Sequence, residues 1–188
     1  MHTAYVIDPA DRVVAVDDGW IAFANENDAP DLPERVLGAS LWTFIANDTV
    51  QGLYSALFKR IRTTGRGITI PFRCDSPSVR RYMKLGIGRG DGPAGTLLCR
   101  AALLRVERQA VPFHAVTPSL WSTAPPPWDE SDGVVMNGCS WCRRVNANGW
   151  REIDDALTRL PTLFTEPVGL RTTGLCPACA RQMLEQIR

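Results

Sequence analysis

Four of the six cysteines come as two pairs, Cys139 with Cys142 and Cys176 with Cys179, each with two residues between the thiols. That spacing lets one tight turn present both sulfurs to one ion, and two such pairs supply the four soft donors of a structural zinc site. The 33 residues between Cys142 and Cys176 exceed the compact ribbon spacing of about 15–20, and a helix between the pairs would account for the excess. Cys176 stands just before a predicted helix start, where the helix dipole favours thiolate. Arg143, Arg144 and Arg181 can offset the double negative charge of a zinc–tetrathiolate centre. Other chemistries fit the same residues. An iron–sulfur cluster uses four thiolates too, and the first pair, following "VVMNG", has the spacing of a thiol-redox motif. Disulfides would require export to an oxidising compartment. Cys74 and Cys99 stand alone on predicted strands and read as small core residues; a thiol-sensor role for Cys74, between Arg73 and Asp75, has no further support in the sequence.

The elements that must position these thiols sit in a chain of 188 residues, enough for one medium domain and one small one. Hydrophobic residues make up 45% and charged residues 22%, and the net charge is +1, so no global field draws the chain to nucleic acid or acidic lipid. The apolar runs are too short to span a bilayer, and "MHTAYVIDPADR" lacks the features of a secretory signal. A cytoplasmic, reducing setting is expected, with no membrane association.

Residues 1–108 read as an α+β unit. Two short β-branched runs, Tyr5–Ile7 and Arg12–Val16, flank a turn made of Asp8, Pro9, Ala10 and Asp11. A mixed, proline-broken stretch follows. Leu53, Leu57 and Ile61, with Tyr54 and Phe58, then mark one face of a longer helix, capped by Asp48 or Thr49 and ended by Gly65. Three strands come next: Ile68, Ile70, Phe72 and Cys74 alternate, Met83, Leu85 and Ile87 alternate, and "GTLLCRAALLRVE" is apolar enough for a central strand. Residues 109–135 hold five prolines and no periodic pattern, and read as a linker that includes His114, Trp121 and Trp128. Residues 136–188 form the four-cysteine zinc-binding module, expected to be α-helical. Trp150, Ile153, Leu157 and Leu160 fall at helical spacing before Pro161. A last helix begins at Pro177, with Met183, Leu184 and Ile187 on its apolar face.

The first unit resembles the PAS family of sensor domains over roughly residues 4–107. The resemblance rests on the element order and on "VIDPADRVVAVDDGW", "VLGASLWTFI" and "PFRCDSPSVRRYMKLGI". It implies a five-stranded antiparallel sheet with flanking helices. It also implies a ligand pocket to which Trp20, Phe23, Trp42, Phe44, Tyr54, Phe58, Phe72 and Met83 would contribute, although filling a solid core explains most of them better. No haem ligand or photoactive-flavin cysteine pattern is present, so the ligand is left unassigned. The end of the chain, "CSWCRRV", "NGWREIDDAL" and "TTGLCPAC", resembles a cysteine-rich module found after PAS or receiver domains in bacterial signalling proteins. The preference for zinc rests partly on that resemblance. Thr173 stands where the module usually carries His.

Catalysis is not expected, because the chain has no nucleophile elbow, phosphate loop or histidine metal motif. The reading is a signalling or regulatory protein whose PAS-like unit senses or dimerises and whose zinc module binds a protein partner. One alternative is a DNA-binding regulator using the zinc module; seven arginines against five acidic residues in 136–188 make a weak footprint for phosphate contacts. A thiol redox protein is the other.

Overall fold

The computed structural model describes residues 2–27, 29–45, 47–75, 79–108, 134–159 and 168–187. The α+β class is observed, with a five-stranded antiparallel sheet and flanking helices. The chain divides into two compact units: Met1–Pro71 with Met83–Leu104 and Gln182–Arg188, and Phe72–Tyr82 with Arg105–Arg181. Among the described residues, no helix is long and apolar enough to cross a membrane. Apart from Val134 and Val135, the linker expected at 109–135 lies outside the described residues, as do His114, Trp121, Trp128, Leu160 and Pro161.

In the first unit, strands β1 (His2–Ile7) and β2 (Val13–Val16) form an antiparallel pair. Their connection is set by Asp8, whose Oδ1 accepts from the backbone N–H of Ala10 (2.8 Å) and Arg12 (2.9 Å), while Asp11 takes the left-handed conformation at φ 60°. Helices α1 (Asp18–Glu26) and α2 (Leu32–Val36) and a 3-10 turn (Leu41–Phe44) follow, then the long helix α3 (Asp48–Thr64). The cap of α3 is Asn47, one residue before the expected Asp48: its side chain accepts from Val50 N–H at 3.1 Å. Gly65 ends the helix at φ 75°, as expected. Strands β3 (Ile68–Arg73), β4 (Val79–Arg89) and β5 (Leu97–Arg108) complete a sheet of order β2-β1-β5-β4-β3, and their residues 72–73, 79–82 and 105–108 belong to the second unit.

The core forms where the two periodicities meet. Leu57, Phe58 and Ile61 of α3 have no exposed surface, and Ile68, Ile70, Met83, Leu85, Ile87, Leu97 and Cys99 are buried on the sheet. Trp42 and Tyr54 pack their rings 5.7 and 5.8 Å from Phe58, so these aromatics serve as core. Arg62 ties the connections together: Nε donates to Gly95 O at 2.8 Å, and Nη2 to Asp8 O at 2.9 Å and to Asp11 Oδ1 at 2.7 Å.

The second unit holds more strand than the sequence predicts. Strands β6 (Val134–Cys139), β7 (Val145–Asn146), β8 (Trp150–Arg151) and β9 (Val168–Gly174) form a sheet of order β8-β7-β6-β9, with β6 and β9 parallel. Trp150 is therefore a strand residue, and α4 begins only at Ile153, running to Arg159. The reason is local. Asn148 at φ 50° and Gly149 at φ 118° reverse the chain between β7 and β8, so the helical period cannot start before them. Helix α5 (Pro177–Ile187) starts as expected; Cys179 and Met183 are buried on it, while Leu184, expected on its apolar face, is 50% exposed.

Gly19 sits in the first turn of α1, and a Cβ there would lie 2.0 Å from the carbonyl oxygen of His2. Gly19→Ala is expected to cost about 1–3 kcal/mol through forced backbone displacement. Gly52, exposed on α3 with nothing near its missing Cβ, is the control: Gly52→Ala should stabilise by about 0.5–1 kcal/mol. Denaturant unfolding of both variants checks the opposite signs.

Candidate metal centre

The four paired cysteines come from separate elements. Cys139 ends β6, Cys142 lies in the turn before β7, Cys176 immediately precedes α5, and Cys179 is in the first turn of α5. Backbone hydrogen bonds shape the first turn. Cys139 N–H donates to Arg144 O at 2.8 Å, Arg143 N–H to Cys139 O at 3.1 Å, and Ser140 N–H to Gly174 O at 2.8 Å. Arg143 adopts φ 60°, a conformation that costs a residue with a Cβ about 1–2 kcal/mol. The β6–β9 register shifts between Gly138 and Cys139, so that Cys139 lies opposite Gly174. Such a bulge re-aims the side chain at its end.

The result is that all four Sγ atoms lie within 4.8 Å of one another, with Cys142 and Cys176 sulfurs 3.7 Å apart. These four could hold one metal ion. Cys139, Cys176 and Cys179 are buried and Cys142 is half-buried. Cys176 N–H donates to Cys139 Sγ at 3.2 Å. Hydrogen bonds from the Cys142 and Cys179 thiols, aided by the backbone N–H groups of Cys142 and Cys176, hold the Cys139 thiol far below its ordinary range. The neighbours show the converse. Sharing a hydrogen bond with that thiolate pushes Cys142 up to about 12, and Cys179 is raised for the same reason.

Of the arginines expected to balance the thiolates, Arg144 bonds Glu152 at 3.2 Å, and its pKa is raised first by that bond and then by Cys142 and Cys176. Arg143 Nε is buried with no hydrogen-bond partner among the described residues. Thr173 lies on β9. The two single cysteines are not members of the group of four. Burial raises Cys74 despite Arg143 and Arg81, and pushes Cys99 up to about 12, which disfavours a reactive thiolate at either.

Three residues beside the centre were not legible as such. Arg73, at the end of β3, is 6% exposed. Its Nε and Nη2 meet both carboxylate oxygens of Asp75, and its Nη1 donates to Glu152 Oε2 at 2.5 Å and Cys142 O at 3.2 Å. Its backbone N–H donates to Trp141 O at 2.7 Å. Burial opposes the Arg73 charge, and Asp75 and Glu152 more than restore it. An arginine alternating with Ile68, Ile70 and Phe72 carries the signature of a solvent-facing strand position, so nothing in the local pattern marks it.

Metal binding must strip protons from Cys142 and Cys179. Apparent affinity is therefore expected to rise with pH by about 10-fold per unit for each proton released, or about 100-fold per unit across roughly pH 6–8. Calorimetric titration in buffers of different ionisation enthalpy counts the protons directly; a pH-independent affinity would contradict this. No protein-family model matches the chain, and no curated protein matches it.

Proposed function

We propose that this chain is a non-enzymatic bacterial signalling or regulatory protein, in which a PAS-like sensing and dimerisation unit is joined to a protein-interaction module built on structural zinc. The observation that carries the proposal is the convergence of four sulfurs within 4.8 Å. A tetrahedral ion with Zn–S bonds of about 2.3 Å has sulfur–sulfur edges of about 3.8 Å, close to the 3.7 Å between Cys142 and Cys176. An iron–sulfur cluster sets several irons and bridging sulfides between its cysteines and holds them further apart. Four protein ligands also leave no coordination position for a substrate, which favours a structural over a catalytic role. Zinc, when bound, supplies cross-linking of β6, its following turn and α5. The residues that would hold it are Cys139, Cys142, Cys176 and Cys179.

The PAS-like reading of the first unit is supported by its β-β-helices-β-β-β order and five-stranded antiparallel sheet. A homodimer would form through the sheet face opposite the core. There, alternation brings Ala4 and Val6 of β1 beside Leu98, Arg100 and Ala102 of β5, around an open groove. The two alternatives have less support. Arg80, Arg144, Arg151 and Arg159 each meet a carboxylate, which reduces what these four can offer to phosphates. The Cys139–Cys142 pair has two further sulfurs beside it, unlike an isolated redox dithiol. Cytoplasmic residence fits six free thiols.

Elemental analysis of purified protein should give one zinc per chain and no visible absorbance. Cys139→Ser should lose the metal and unfold the second unit, read by circular dichroism and proteolysis. Metal-free native protein, or iron with charge-transfer bands, would overturn the zinc reading.

A further inference from the structure

The hydrogen bonds that brace the first cysteine turn come from an unexpected part of the chain. Trp141 and Cys142 are the last two residues of the first Cys-x-x-Cys, and Arg73 holds both of their carbonyls. Its backbone N–H reaches Trp141 O at 2.7 Å, and its Nη1 reaches Cys142 O, 69 positions away, at 3.2 Å. The same Nη1 meets Glu152 Oε2, 79 positions away, at 2.5 Å. The other oxygen of Glu152 takes Arg144 Nε at 3.2 Å. Through Arg73 and Glu152, these contacts tie the Cys142 carbonyl to the Arg144 side chain.

We propose that Arg73 is a positioning residue of the metal centre, and that metal binding and ordering of the β3–β4 hairpin end are one linked equilibrium. This rests on the metal reading above. The role of Arg73 is geometric. Its charge is matched locally by Asp75, whose side chain is 1% exposed, so little remains to act on the thiolates at a distance. What Arg73 adds is a rigid fork that satisfies a carbonyl and two carboxylates at once, which a lysine ammonium cannot do from one point. The Arg73 side chain is 5% exposed, so opening the turn would strand a buried cation and two carbonyls. Partners that orient metal ligands in this way typically change metal affinity by about 10–100-fold. By linkage, metal must stabilise the hairpin end by the same factor. That end is itself held by Cys74 N–H to Arg81 O at 3.0 Å and by Arg81 N–H to Asp75 Oδ1 at 3.2 Å.

Two measurements on the full chain test this. Zinc affinity is read by competition with a chromophoric chelator, and exchange of the Arg73, Cys74 and Arg81 amides is followed with and without zinc. Expected are a loss of about 10–100-fold in affinity for Arg73→Lys, a smaller loss for Glu152→Gln, and slower exchange of those three amides in the zinc-loaded native protein. Exchange of β1 and β5 amides should be unchanged in both variants, which separates positioning from unfolding. Native zinc affinity in Arg73→Lys, or hairpin exchange in the native chain that ignores zinc, overturns the proposal while the metal reading stands. A native chain that binds no zinc overturns both.

Discussion

Four thiols brought within 4.8 Å cannot all ionise unless a cation stands among them. That electrostatic constraint organises the second unit. The bulge at Gly138–Cys139, the left-handed Arg143 and the start of α5 at Pro177 each aim a sulfur at one point. The N–H···S hydrogen bond from Cys176 to Cys139 offsets part of the thiolate charge. A small unit has too little apolar surface to impose such a convergence by burial alone.

The first unit answers a different constraint. Its core is an ordinary meeting of a helix face with a sheet face, and its polar connections are satisfied from within. Arg62 shows how: one side chain reaches the β1–β2 connection at Asp8 and Asp11 and the β4–β5 connection at Gly95. Trp42 adds a bond from its indole N–H to Asp11 Oδ2 at 3.2 Å. The Asp-rich turn so prominent in the sequence is thus a structural fitting, with Asp8 accepting from the Ala10 and Arg12 N–H groups and Asp11 serving Arg62 and Trp42.

Legibility followed the range of the interactions. Alternation in Met83, Leu85 and Ile87 reported burial correctly, as did the four-residue spacing of Leu57 and Ile61. Gly65 and Pro177 marked helix ends through their own backbone limits. The expected helix began at Trp150, on the apolar spacing of Trp150 and Ile153, although Asn148–Gly149 before it is a turn dipeptide. That spacing belongs to a strand followed by a separate helix. The parallel pairing of β6 with β9 was not visible at all, because "VGLRTTG" has no period and its partner lies some thirty residues away.

The local chemistry was written in the chain itself: which thiols are paired, where turns cap and helices stop, and which residues face a core. These depend on backbone preference and on neighbours within a few positions. It took the folded arrangement to make the two pairs one site, and to bring Arg73, with Asp75 and Glu152, to brace it. A buried guanidinium is stable only where its carboxylates and carbonyls arrive from distant segments. No local pattern encodes that arrival.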